Sequence, residues 1–122
     1  MESIPDHRPL SDAERSLVDW LLEHGASRSP DFLEQLGRVE VIARCGCGCA
    51  SVDFAIDGNR APGGAGMEVL SDYQWLGPHG ELFGVFVFAR QGILAGLELW
   101  SIDGAATPSR LPQVSELKPL CR

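Results

Sequence analysis

The feature that most constrains the fold is a change in apolar patterning on either side of a cysteine-rich segment. In "VEVIA" (39–43) the apolar positions are the odd-numbered ones, apart from Ile42, whereas in "SVDFAID" (51–57) they are mainly even-numbered. Side chains of one strand alternate strictly between its two faces, so a single regular strand cannot carry both patterns. The chain must therefore turn or bulge between them, and a hairpin with strands near 38–45 and 49–56 is the simplest solution.

Three of the four cysteines lie in that turn, in the segment "RCGCGCAS". If the segment were extended, alternate cysteines would be about 6.6–6.8 Å apart, too far for one zinc ion, whose sulfur ligands span at most about 4.6 Å. Across a hairpin, Cys45 and Cys49 could face each other with about 4.5–5.5 Å between their Cβ atoms, leaving Cys47 at the tip. The hairpin therefore makes a metal site or a cross-strand bond feasible.

Three interpretations of the cysteines remain open: a structural turn of small residues, a metal site, and a redox or nucleophilic thiol. Structural zinc sites usually repeat a pair of cysteines, and a single triplet departs from that pattern, which favours the structural turn. A zinc site would need a distant fourth ligand. His79 in the turn "GPHG" is the preferred candidate, ahead of His24, His7 and Cys121.

Two segments near the beginning of the chain have the pattern of helices. In "SDAERSLVDWLLEHG", Ser11 and Glu14 form a capping box, and Gly25 is placed to end the helix. In "SPDFLEQLG", Ser29 is the expected N-cap, followed by Pro30 at the first helical position, and a glycine ends the segment.

The rest of the chain predicts strands joined by short turns. "MEVLSDYQWL", "ELFGVFVFAR" and "ILAGLELWSI" have strand composition and are separated by "GPHG" and "QG". The prediction is an α+β fold, with two N-terminal helices packed on an antiparallel sheet of about five strands built from hairpins. Residues 1–122 would form one domain: an irregular lead-in (1–10), helices (11–37), sheet (38–102), and a loop and tail (103–122).

Charge and hydropathy limit the partners and the compartment. The chain has 17 acidic residues against 10 Lys and Arg, a net charge of -7, so nucleic acid is a poor partner and a basic protein surface a better one. No apolar stretch approaches the roughly 20 residues of a membrane span, and the first residues lack the pattern of a signal peptide. We therefore expect a cytoplasmic protein, no membrane partner, and reduced cysteines unless they are catalytic or bound to metal.

Four further residues are candidates for an interaction surface. Glu98 interrupts an apolar strand, and Asp53 and Asp72 could join it in an acidic strip on a solvated sheet face. Trp75 lies beside a turn, which favours an exposed ring that anchors a partner. Paired carboxylates could also do acid–base work if they lay together, but no catalytic motif is recognisable, so an enzyme is the less favoured interpretation.

The segments "RCGCGCASVDF" and "GILAGLELWSIDG", followed by "LP" and "LKP", resemble a group of small bacterial proteins. Members share a glycine-rich C-x-C-G-C turn, a Leu-Glu pair near the end of the last strand, and a proline-marked tail. The resemblance covers most of residues 38–119 and implies a fold without a mechanism, because the group has no assigned activity.

Two functions follow as hypotheses. The first is a non-enzymatic protein-interaction or regulatory module that binds a basic partner through its acidic sheet face, for example an immunity-type protein that caps a basic toxin. The alternative is a zinc-binding module that uses Cys45, Cys47 and Cys49 together with His79.

Overall fold

The computed structural model describes residues 3–62 and 66–120, and most of its regular structure is one antiparallel sheet. Eight strands are found in the described residues: β1 (Ser3–Arg8), β2 (Val39–Cys45), β3 (Val52–Ile56), β4 (Asn59–Arg60), β5 (Met67–Leu76), β6 (Leu82–Arg90), β7 (Ile93–Ser101) and β8 (Lys118–Pro119). Their order across the sheet is β1-β2-β3-β7-β6-β5-β8, and β4 also pairs with β3. The helices are α1 (Asp12–Glu23), α2 (Leu33–Leu36) and two 3-10 turns, Ser29–Phe32 and Val114–Glu116.

The predicted fold, two N-terminal helices on a sheet of about five strands, is wrong. A strand precedes the helices, because residues 3–8 of the expected irregular lead-in form β1 and pair with β2. Within the described residues the sheet has eight strands, and the second helix is a 3-10 turn followed by a single α-helical turn. Arg28 rather than Ser29 occupies the cap position of that turn, and no side chain caps it.

The first helix begins where the sequence indicates. The Ser11 hydroxyl accepts a hydrogen bond from the Glu14 N–H at 3.1 Å, and the Glu14 carboxylate accepts one from the Ser11 N–H at 2.8 Å. These two bonds satisfy amides that the helix itself leaves unpaired. The same carboxylate accepts two hydrogen bonds from Arg8, at 2.7 and 2.9 Å, and thereby ties β1 to the helix.

One face of the sheet packs against the helices and forms the main core. The apolar side of α1 belongs to the same buried cluster as side chains of β2, β3, β5, β6 and β7. The cluster includes Leu17 and Leu21 of α1 together with Phe54, Val85 and Leu97 of the strands. Burying such side chains stabilises the fold by about 1.5–3 kcal/mol each. The opposite face has no helix against it in the described residues, and it carries the charged and aromatic side chains considered below.

The patterning change around the cysteines is confirmed as a hairpin. Strands β2 and β3 pair antiparallel from Val39–Ile56 to Arg44–Val52, with an irregularity between Val41 and Ala43. The even-numbered apolar residues of β3 thus face the same core as Val39 and Val41. The second strand begins at Val52, three residues later than predicted.

Among the described residues, no helix has the length and apolar composition that a membrane crossing requires.

Candidate metal centre

The cysteine turn is held at both ends by backbone hydrogen bonds. The Cys45 N–H donates to the carbonyl of Ser51 at 3.2 Å, which closes the hairpin. The Ala50 N–H donates to the carbonyl of Pro108 at 3.0 Å, so the loop after β7 also supports the turn. Gly48 has φ +93°, a conformation that residues with a Cβ rarely adopt. The glycine therefore allows the bend that brings neighbouring cysteines together.

The three cysteine side chains converge within this turn. Their Sγ atoms all lie within 4.8 Å of one another, with 2.6 Å between Cys45 and Cys47 and 3.0 Å between Cys47 and Cys49. Cys47 is exposed and the other two are partly buried. The three cysteines are therefore close enough together to hold one metal ion.

The thiols differ in how readily they ionise. Contacts with the thiols of Cys45 and Cys49, together with the Cys49 N–H at 3.4 Å, lower the pKa of Cys47. Burial, followed by the contact with Cys47, raises the pKa of Cys45 to about 12. Cys47 thus becomes a thiolate, the form that binds metals, before Cys45 does.

Ser51 connects the cysteines to the middle of the sheet. Its hydroxyl accepts a hydrogen bond from the Leu99 N–H at 2.8 Å and donates one to the Leu99 carbonyl at 3.1 Å. The Cys49 thiol donates a hydrogen bond to the Ser51 hydroxyl oxygen at 3.3 Å. Since Ser51 is only 4% exposed, this hydroxyl fixes one end of the turn against β7.

The structure departs from the expected geometry of the metal site in two details. Cys45 pairs with Ser51 rather than facing Cys49 across the hairpin. His79 lies in the turn between β5 and β6, two strands away from β3, and is not part of the cysteine group found among residues 3–62 and 66–120. The backbone N–H of His79 donates to the Glu81 carboxylate at 2.7 Å. Of the other sequence candidates, His7 and His24 are not in the cysteine group either, and Cys121 lies outside the described residues.

A cleft of about 200 Å³ borders the cysteine turn and is partly lined by Arg44, Cys45, Asp53 and Glu98. Burial raises the pKa of Glu98, the Ser51 hydroxyl opposes that shift, and the negative charge of Asp53 adds to it. Two of the predicted acidic residues therefore lie near each other and beside the candidate metal centre.

The third acidic residue lies farther away on the same open face. Asp72 on β5 and Glu98 on β7 are both directly opposite Phe86 on the strand between them. Two cross-strand steps of about 5 Å place the Cβ atoms of Asp72 and Glu98 about 10 Å apart, with Phe86 at the register position between them.

Aromatic rings cover both outward-facing glycines of the central strands. A Cβ on Gly84 would overlap the Trp100 indole, and a Cβ on Gly96 would overlap the Phe88 ring. Absence of a side chain at these positions lets each ring lie against the neighbouring strand. Together with Phe86, these rings form what we call the aromatic platform (Phe86, Phe88 and Trp100).

Trp75 is the predicted contact residue that the structure places elsewhere. Its side chain is 3% exposed and packs against Phe83 in the core, with ring centroids 5.2 Å apart. Because Trp75 and Leu70 belong to the core cluster, the expectation of an exposed ring at 75 is wrong. Trp100, at 37% exposure, is the tryptophan that reaches solvent on the open face.

Comparisons with known proteins return no relative. No protein-family model matches the chain, no curated protein matches it, and no solved structure matches it.

The roles of Ser51 and the aromatic platform were not predicted from the sequence. Ser51 contacts a strand 48 positions later, and no local pattern signals that contact. The platform does have a signal in the sequence. In "FGVFVF" and "AGLELW", Gly84 and Gly96 are an even number of positions from the outward-facing aromatic residues, so they share the same face of the sheet.

Proposed function

We propose that the protein binds a thiophilic metal ion through Cys45, Cys47 and Cys49. The observation that carries this proposal is the convergence of the three sulfur atoms within 4.8 Å in an anchored hairpin turn. Thiolates are soft ligands that select zinc, Cu(I) and similar ions over magnesium or calcium. The same chain offers no comparable group of His, Cys, Asp and Glu elsewhere in the part that the structure describes.

The arrangement needs only a small adjustment to accept an ion. With metal–sulfur bonds of about 2.3 Å, tetrahedral ligands lie about 3.8 Å apart. The observed separations of 2.6 and 3.0 Å are shorter, so the sulfurs would move outward by roughly 1 Å. Gly46 and Gly48 give the turn that freedom, while Ser51 holds its end in place.

Elemental analysis tests the proposal. The wild-type protein, expressed with added zinc or copper salts and purified without chelators, should retain about one ion per chain. The matched control replaces all three cysteines by serine and should retain none. Metal well below one equivalent in the wild type, or the same content in the control, would refute the proposal.

A second candidate function is binding of a basic protein segment on the open sheet face. The aromatic platform supports this candidate through Trp100, which is 37% exposed, and the half-buried Phe86, whereas Phe88 is buried. An exposed tryptophan is a common contact anchor. Asp72 and Glu98 flank Phe86 in one row, so the rings have carboxylates beside them. The net charge of -7 further favours a positively charged partner.

A lysine-rich peptide that contains apolar residues but no tryptophan tests this second candidate. Its binding is followed by the tryptophan fluorescence of the protein. The peptide should bind more weakly as salt rises, and its glutamate counterpart should not bind. Gly84→Val should weaken binding, because the new side chain displaces the Trp100 indole. Equal binding of both peptides, or no effect of Gly84→Val, would contradict docking on this face.

A further inference from the structure

We propose that the ion taken by the cysteine turn is Cu(I), held by three thiolates and exchangeable at the protein surface. The inference rests on the proposed metal-binding function and specifies its ligand. Binding converts three thiols and one Cu(I) ion into a copper tris-thiolate with two negative charges and releases three protons.

The number of donors favours Cu(I) over zinc. Structural zinc sites are almost always closed by four protein ligands in a tetrahedron. Within residues 3–62 and 66–120, only three side chains form a metal-ligating group, and His79, the fourth ligand favoured by the sequence, is not among them. Cu(I) is a soft ion that forms stable two- and three-coordinate thiolate complexes, so three sulfurs satisfy it.

The three sulfurs lie close enough together to reach the corners of a three-coordinate site. Three ligands arranged in a triangle with bonds of about 2.3 Å lie about 4.0 Å apart. The Cys45–Cys47 and Cys47–Cys49 sulfur separations are 2.6 and 3.0 Å, so each pair would move apart by about 1.0–1.4 Å to reach that spacing.

Exposure makes the bound ion accessible to another ligand. Cys47 is exposed, and Cys45 and Cys49 are partly buried, so an incoming thiol can approach the metal directly. Arg44, Asp53 and Glu98 line the cleft next to Cys45, so side chains of both charges border the site. The exposure is expected of a site that passes its ion on, rather than one that locks the fold.

A competition titration tests the inference. Reduced, metal-free protein would be titrated under nitrogen with Cu(I) buffered by a colorimetric Cu(I) chelator, with and without a tenfold excess of Zn(II). We expect one Cu(I) per chain, a thiolate-to-copper charge-transfer band in the ultraviolet, and no displacement by Zn(II). Cys47→Ser should weaken Cu(I) binding by more than about 100-fold, since loss of a ligand exceeds the effect of a supporting residue. His79→Ala, at a residue outside the cysteine group, is the control and should leave affinity unchanged.

The outcomes separate this inference from the proposed function. Displacement of Cu(I) by Zn(II), or loss of affinity in His79→Ala, would overturn the Cu(I) assignment while leaving a metal site in place. If neither ion binds the wild type more tightly than the triple cysteine-to-serine variant, the proposed function itself fails.

Discussion

Two buried serines offer a paired test of how the cysteine turn is anchored. Ser51 and Ser71 are both 4% exposed, but their hydroxyls differ in their contacts. The Ser51 hydroxyl exchanges hydrogen bonds with the backbone of Leu99 and accepts one from Cys49. The Ser71 hydroxyl has no hydrogen-bond partner among the described residues. The same change, serine to alanine, should therefore have opposite consequences.

Ser51→Ala leaves the buried N–H and carbonyl of Leu99 without their partner. Each hydrogen bond contributes about 0.5–1.5 kcal/mol, and an unsatisfied buried group costs about 1–3 kcal/mol, so we expect a loss of about 2–4 kcal/mol in the free energy of unfolding. Ser71→Ala removes a buried hydroxyl that is itself unsatisfied and should be neutral or stabilising by up to about 1 kcal/mol.

Urea unfolding of both variants and of the wild type, in reducing buffer without metal, measures the difference. In metal-binding assays Ser51→Ala should also lower affinity about 10–100-fold, as supporting residues of metal sites do. Equal stability changes in the two variants would refute the anchoring role assigned to Ser51.

The remaining predictions concern the first helix and the thiols. Glu14→Gln removes the negative charge that pairs with Arg8 and should lower the free energy of unfolding at pH 7. The loss should be only about 1–2 kcal/mol, because Arg8 is a third exposed and solvent screens the pair. Burial works to raise the pKa of Glu14, but hydrogen bonds from Arg8 and Ser11 outweigh it and leave the pKa lowered. The difference between wild type and variant in urea unfolding should thus shrink as pH falls below about 4.3, and a constant difference would contradict this account. In metal-free protein, iodoacetamide should modify Cys47 before Cys45, as peptide mass spectrometry would show, and the reverse order would refute the assigned thiolate. Gly25→Ala should cost about 1–3 kcal/mol in thermal unfolding because its Cβ would overlap a backbone carbonyl of β5, and an unchanged Tm would contradict that packing.

The parts of the fold that depend on local pattern were predictable from sequence. The change in apolar parity between Ala43 and Val52 requires a reversal of the chain, and the β2–β3 hairpin is that reversal. The capping box of Ser11 and Glu14 is likewise a local signal and forms as expected.

Strands that depend on distant partners were not predictable. β1 contains Pro5 and four polar residues in six, and it is a strand because β2, more than 30 residues later, pairs with one of its edges. β8 is two residues long and exists because β5 supplies its partner. Such edge strands carry little hydrophobic signal of their own, so the sequence underestimated the sheet.

The candidate site was likewise predictable only where it depends on local sequence. The three cysteines were recognisable from composition and spacing, whereas their convergence on Cys47 depends on the bend at Gly48 and on the hydroxyl of Ser51. Trp75 was expected at the surface because it lies beside a turn, yet its strand position directs it into the core. Turn proximity says little about exposure when the face of the strand is buried.

Titration with Cd(II) tests most directly whether the three thiols act as one site, because the intensity of the cadmium–thiolate absorption band scales with the number of bound sulfurs. The account predicts that the wild type saturates at one equivalent with the intensity of three thiolates, and that Cys45→Ser, Cys47→Ser and Cys49→Ser each show two. A wild-type band with the intensity of one thiolate, or full intensity in any of the three variants, would contradict it.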